Sequence, residues 1–297
     1  MDQARRALRS RRLSVTASKQ VNERVSRLEL TFRQRDVQGR GQTYLAEQYV
    51  GSPLKILRPF EIGGGRVVLQ LLNVGPGVMQ GDRYDLSVRV QSGAKVVLVN
   101  QSATKLHTMP SGSACQNVTV HVEWGAELEY YPGLVIPYRD ADFIQRTEVH
   151  LEEGARFGTL ERFSMGRTAH GEGFSFRRLS SRLRIYRDDT LVYGDGLELS
   201  PPKAAQVGAT DKYPYLAAGV WLWGERSESK EERETVRPSF AEASLVHGAF
   251  DDSFGGGLYL RCLGTDGLEQ TQQIEEVLRE WRATSSLPAL RFARFGG

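Results

Sequence analysis

Short runs in which apolar and polar residues alternate fill the chain from about Leu13 to Ser200. Leu86-Ser87-Val88-Arg89-Val90, Val118-Thr119-Val120-His121-Val122 and Leu183-Arg184-Ile185-Tyr186 follow a period of two, the pattern of a strand with one buried face. Val67-Val68-Leu69-Gln70-Leu71-Leu72 is instead a nearly unbroken apolar run. Three alternating strands end alike, with a two-residue gap, then Gly93-Ala94, Gly125-Ala126 or Gly154-Ala155, then another strand. The glycines are spaced by 32 and 29 residues. A period in this range predicts stacked supersecondary units. Glycine suits the turn because it takes positive φ without steric cost. A β-sandwich with similar hairpins is the alternative; the repeat favours a stack.

Parity within the repeat assigns faces, because successive side chains on a strand point to opposite sides. Val118, Val120, Val122, Val149 and Leu151 are expected inside. Thr119, His121, Glu123, Glu148, His150 and Glu152 are expected outside. His121 and His150 hold the same place in successive units, so stacking brings them within about 5 Å at the backbone. Beyond Ser200 the texture changes. Pro201-Pro202 marks a break, and residues 226–237 form a charged stretch expected to be a solvated loop or hairpin tip. Ser239 and Glu242 resemble a capping box opening a short helix. Ile274, Val277, Leu278 and Trp281 recur at helical spacing, with Asp266 placed to cap the start and Gln272, Glu276 and Arg279 on the wet side. The expected architecture is mostly β: an elongated, solenoid-like β-helical body over 13–200, preceded by a tail at 1–12. A C-terminal part at 201–297, with strands and one or two helices, packs on that body.

Composition narrows the class. With 297 residues, 40% hydrophobic and 25% charged, the chain buries a substantial core. The net charge is only +3, yet Arg5, Arg6, Arg9, Arg11 and Arg12 crowd the start. A disordered, solvated tail is the expectation there, with a nucleic-acid-binding arm as the alternative. No run approaches the length of a membrane span, and no apolar stretch follows the basic start as in a secretory signal. Cys115 and Cys262 suggest no disulfide framework. The expected location is the cytoplasm.

Catalytic signatures are few. There is no phosphate-binding G-x-x-x-x-G-K-[ST], no G-x-S-x-G elbow, no H-E-x-x-H and no C-x-x-C. Gly75 to Gly81 and the glycine triplets at 63–65 and 255–257 read as turns. The outward pair His121 and His150, flanked by Glu123 and Glu152, is the best local metal candidate, though a solvated polar face explains it as well. Asn100 and Glu161 share the inward parity. A buried carboxylate is costly unless paired or wet. Glu161 is therefore expected either in an ion pair with Arg162 or Arg167, or on the wall of a water-filled internal passage. Asp82, Asp85, Arg139, Asp140 and Asp142 sit at turns and suit turn or ion-pair duty.

Several segments form an ordered series: Pro53 to Phe60, Gly75 to Leu86 and Ser102-Ala103-Thr104-Lys105, then Trp124 to Glu129, Ile136 to Asp140 and Gly154 to Phe157. Gly166-Arg167, Gly171-Glu172 and Gly257 to Leu263 complete it. Taken in order, these segments resemble the urease accessory protein family UreD, also called UreH. Gln80 stands where that family usually has glycine, and the basic tail lies outside its pattern. The resemblance implies a non-enzymatic scaffold with an elongated β-helical body that helps deliver nickel to apo-urease. It implies UreF, UreG through UreF, and the urease subunits as partners, with neither membrane nor nucleic acid among them. It also implies nickel in transit through an internal channel rather than a tightly bound cofactor. Asp82, Asp140 and Glu161, with His121 and His150, are then the candidates for weak metal contact. Arg58, Arg139, Arg167 and Glu172 are candidates for structural ion pairs or a partner surface. The competing expectation is a β-solenoid carbohydrate-active enzyme using acid–base pairs drawn from Asp82, Asp140 and Glu161.

Overall fold

The computed structural model describes residues 24–204, 209–222, 246–252 and 257–284. The arginine-rich start, the charged 226–237 stretch and the Ser239–Glu242 capping box lie outside the described residues.

Two large sheets face each other. The first holds β1 (Arg24–Val37), β2 (Arg40–Val50), β6 (Asp82–Val90), β9 (Ala114–Val122), β12 (Asp142–Leu151), β16 (Arg178–Arg187) and β17 (Thr190–Leu199). Their spatial order is β17-β16-β12-β9-β6-β1-β2. The second holds β3 (Leu54–Ile56), β4 (Phe60–Gly63), β5 (Arg66–Asn73), β7 (Lys95–Asn100), β10 (Glu127–Tyr131) and β13 (Arg156–Ser164). It continues through β18 (Tyr215–Leu222), β20 (Gly257–Gly264) and β19 (Val246–Asp252). Short strands β8 (Thr104–Leu106) and β11 (Leu134–Pro137) extend it, and β14 (Gly166–Arg167) pairs with β15 (Glu172–Gly173).

Neighbours β1, β6, β9, β12 and β16 are parallel, as are β5, β7, β10 and β13. The chain passes from a strand of the first sheet to one of the second, then returns one place along. This is a β-solenoid of about four turns, closed at its ends by antiparallel strands. The Gly-Ala repeat makes a corner in three of these turns, between β6 and β7, β9 and β10, and β12 and β13. Gly93, Gly125 and Gly154 have φ of 71°, 62° and 69°, and the alanines after them are fully buried.

The two sheets differ in what covers them, and the sequence pattern follows. First-sheet strands alternate because their outer face is wet. In the second sheet β5, β7, β13 and β18 are buried on both faces and read as nearly continuous apolar runs. The C-terminal helix, Gly267–Thr284, contributes to that outer cover. Asp266 caps it by accepting the Leu268 and Glu269 N–H groups at 2.8 and 2.9 Å. Ile274 and Leu278 are buried, while Gln272, Glu276 and Arg279 are exposed; the side chains of Val277 and Trp281 lie outside the described set. The helix also buries polar groups. Arg162 of β13 donates to Thr271 Oγ1, and Arg282 donates to Glu129 of β10, whose carboxylate also accepts from Tyr131 at 2.7 Å.

Candidate functional site

The space between the sheets is apolar at most levels. Leu30, Val88, Val120, Val149 and Ile185 form one row across β1, β6, β9, β12 and β16, with every member buried. One row breaks this rule. Ser26, Tyr84, Gln116, Gln145 and Ser181 are successive register partners on the same strands and share the inward parity. A polar row through a solenoid core is costly unless its groups find partners.

The second sheet supplies some of them. Glu161 of β13 faces the row, and its carboxylate accepts from Gln145 Nε2 and from Ser181 Oγ, the latter at 3.2 Å to each oxygen. Burial pushes the Glu161 carboxyl up to about 7; the bond from Ser181 opposes this, Asp195 adds to it, and Gln145 and Arg261 oppose it. The expected ion pair with Arg162 or Arg167 does not form. Arg162 points through the opposite face of β13 to the helix. Arg167 grips Glu172 with Nε and Nη2 at 3.0 and 2.8 Å. Ala218 is the register partner of Glu161, and Arg261 is the partner of Ala218. Arg261 Nη2 bridges both carboxylate oxygens of Asp195 at 2.7 and 2.8 Å, so an ion pair stands beside Glu161 on the β17–β20 side.

Toward β5 and β7 the row meets a cavity of about 90 Å³, lined among others by Tyr84, Gln116, Asn73, Asn100 and Lys105. Asn100 donates to the Pro132 carbonyl at 2.8 Å, but among the described residues its Oδ1 has no partner. Among the same residues the buried hydroxyls of Tyr130 and Thr147 have none either. These atoms and the Glu161 carboxylate are polar groups buried between the sheets; the cavity is lined by Asn100, and Glu161 lies outside its lining.

The remaining candidates lie apart from this row. His121 and His150 are register partners on the outer face, with ring centroids 4.9 Å apart and planes 12° from parallel. Stacked face to face, their in-plane lone pairs run side by side, and the rings do not converge on one ion. Glu123 and Glu152 serve the corners: Glu123 accepts from Ser92 N and pairs with Arg89, and Glu152 accepts from Trp124 N at 2.9 Å. Asp82 accepts from Met79 N at 2.8 Å and pairs with Arg24 at 3.1 Å. Asp140 sits exposed at a turn with φ 59°. Asp85 is held by Arg83 and Asn117, and Asp142 by Arg177 and Arg178. Arg139 is exposed near Glu172, whose carboxyl is held below its usual range first by Arg167 and then by Arg139. Arg58 lines an open groove with Arg35, Tyr44, Glu47 and Glu61. The atypical Gln80 ties its turn to the next one, accepting from Ser111 N at 3.0 Å. Among the described residues, no three His, Cys, Asp or Glu side chains gather as a metal centre. Asp82, Asp140 and Glu161 occupy three separate settings, so the acid–base pair of a glycosidase is not assembled.

Gln116, Gln145, Ser181, Asp195 and Arg261 were not singled out from the sequence. Parity carries part of the signal, since Gln145 is in step with Val149 and Leu151, and Gln116 with Val118. The Asp195–Arg261 contact joins positions 66 residues apart and has no local signature.

Comparison with known proteins gives the same direction. A model of the UreD urease accessory protein family matches residues 24–293. The chain is similar to Urease accessory protein UreD 1 of Synechococcus sp. (strain JA-3-3Ab), at 38% identity over 91% of this chain and 96% of the relative. It is similar to Urease accessory protein UreD of Deinococcus radiodurans at 33% identity over 76% of this chain and 81% of the relative. Against Urease accessory protein UreH of Helicobacter hepaticus the identity is 32% over 61% and 72%. A family match over nearly the whole chain, together with the stacked fold, settles the relationship: the chain belongs to the UreD urease accessory protein family.

Proposed function

We propose that this chain is a urease-maturation scaffold without catalytic activity of its own, which helps deliver nickel to apo-urease through its polar interior. The setting is the cytoplasm, and the partners are UreF, UreG through UreF, and the urease subunits. The observation that carries the route is the inward polar row faced by Glu161 from the opposite sheet. Among the described residues its carboxylate is bonded only to neutral donors, Gln145 and Ser181, and burial pushes it up to about 7. A passing divalent cation favours the ionised carboxylate, and release lets the proton return. Amide, hydroxyl and carboxylate oxygens suit such a cargo, because a closed set of nitrogen or sulfur ligands would hold it too tightly to pass on.

The test is to express the urease subunits, UreF and UreG of one organism under limiting nickel, with and without this chain. Nickel per purified urease is then measured. The proposal expects nickel-loaded urease only when the chain is present and co-purifies. Equal loading in its absence would overturn the maturation role.

A further inference from the structure

The outer face of β9, β12 and β16 carries an arrangement that the polar interior does not use. Arg146 and Arg182 are register partners on adjacent strands, and Arg184 follows two residues along β16. All three are exposed. Adjacent strands lie about 4.8 Å apart, and like charges directly abreast destabilise a sheet. Among the described residues, none of these three guanidinium groups enters an ion pair.

The acids nearby are already engaged. Glu148 pairs with His150 Nε2 at 2.9 Å, although its register partner is Arg184. Asp85 is held by Arg83 and Asn117, and Asp142 by Arg177 and Arg178. Glu198 bonds to Lys203, which holds its carboxyl low first, with Arg178 and Arg182 adding to the effect. Glu29 stands on β1, four strands from Arg184. Beside the arginines lies a row of stacked rings. His121, His150 and Tyr186 form a continuous stack, with His150 and Tyr186 centroids 5.3 Å apart and planes 11° from parallel. Arginine and tyrosine are the residue types that most often anchor protein interfaces.

We propose that this face docks an acidic segment of a partner protein. Its carboxylates take Arg146, Arg182 and Arg184 by forked hydrogen bonds, and its remaining surface lies on the His121–His150–Tyr186 stack. The position of Glu148 selects a peptide over a nucleic acid. A polyphosphate backbone would bring a negative charge against it, whereas a peptide can place a neutral or basic residue there. The inference is independent of whether nickel travels through the interior.

The experiment uses the full chain and fluorescence anisotropy of a labelled polyglutamate peptide at low and high salt. An oligothymidylate and vesicles of phosphatidylcholine with phosphatidylserine serve as competing probes. The expected result is salt-sensitive peptide binding. An Arg146→Glu, Arg182→Glu double variant, and the milder Arg146→Gln, Arg182→Gln pair, should weaken it about tenfold or more. A charge-matched control, Arg40→Glu with Lys55→Glu, should leave it within about twofold. Thermal melts confirm that all variants are folded. Absence of peptide binding by the unaltered chain, equal losses in patch and control variants, or equally tight binding of the oligonucleotide or vesicles would each overturn the proposal.

Discussion

A carboxyl in the setting of Glu161 makes stability depend on pH in a direction that can be worked out. Its ordinary value is 4.5 and its folded value about 7. Below the lower value both states hold the proton and the group contributes no pH dependence. As pH rises between the two, the unfolded chain ionises first, and folding loses about 3 kcal/mol across the window. Glu161→Gln should remove that slope. In thermal melts at about pH 5 and about pH 8, the unaltered chain should lose several degrees more than the variant. Parallel curves would mean that Glu161 is not buried as described. The inward parity of Glu161 was legible in the sequence, because a carboxylate stands out in Phe157-Gly158-Thr159-Leu160-Glu161-Arg162-Phe163. Its partners were not. Gln145 and Ser181 are ordinary polar residues in half-polar strands, and only the register between strands brings them to the carboxylate.

At the scale of the elements, the corners and the helix carry separate predictions. Gly125 is at φ 62° with open space where a Cβ would stand, so Gly125→Ala should cost only the backbone strain, about 1–2 kcal/mol. Gly158 has no positive φ, but a Cβ there would meet the Trp221 side chain at 2.4 Å. Gly158→Ala should therefore cost more than Gly125→Ala, as read by urea denaturation; the reverse order would contradict the packing of β18 on β13. The helix gives a sharper contrast. Arg282 is buried against Glu129, so Arg282→Ala takes the nearest cation from a buried carboxylate that still accepts from Tyr131 and has Arg66 3.9 Å away, and should cost about 3 kcal/mol. Arg279 pairs with Glu276 at 3.7 Å in solvent, so Arg279→Ala should cost less than about 1 kcal/mol. Equal losses would show that the helix end does not sit on the sheet. The Gly-Ala corners were visible beforehand because positive φ and a tight bend each demand a particular residue. The helix was visible by its period, but the burial of Gln270, Thr271 and Arg282 was not, since polar residues on a helix read as a wet face.

Over the whole molecule, the two sheets divide the work. Strands β5, β7, β13 and β18 of one are covered on both sides and are read in the sequence as nearly unbroken apolar runs. The other keeps an open outer face, and its alternation records that exposure. The solenoid axis was legible from the repeat. The polar row running along it was not, because a row perpendicular to the strands draws one residue from each of five distant segments. The proposed nickel path along this row can be tested directly. The direct measurement is the nickel content of urease matured with a Glu161→Met, Gln145→Met variant, which keeps side-chain length while removing the polar atoms. A path through the row requires a folded variant that still co-purifies with urease yet leaves it with several-fold less nickel than the unaltered chain. Full nickel loading of urease by that variant would contradict the path.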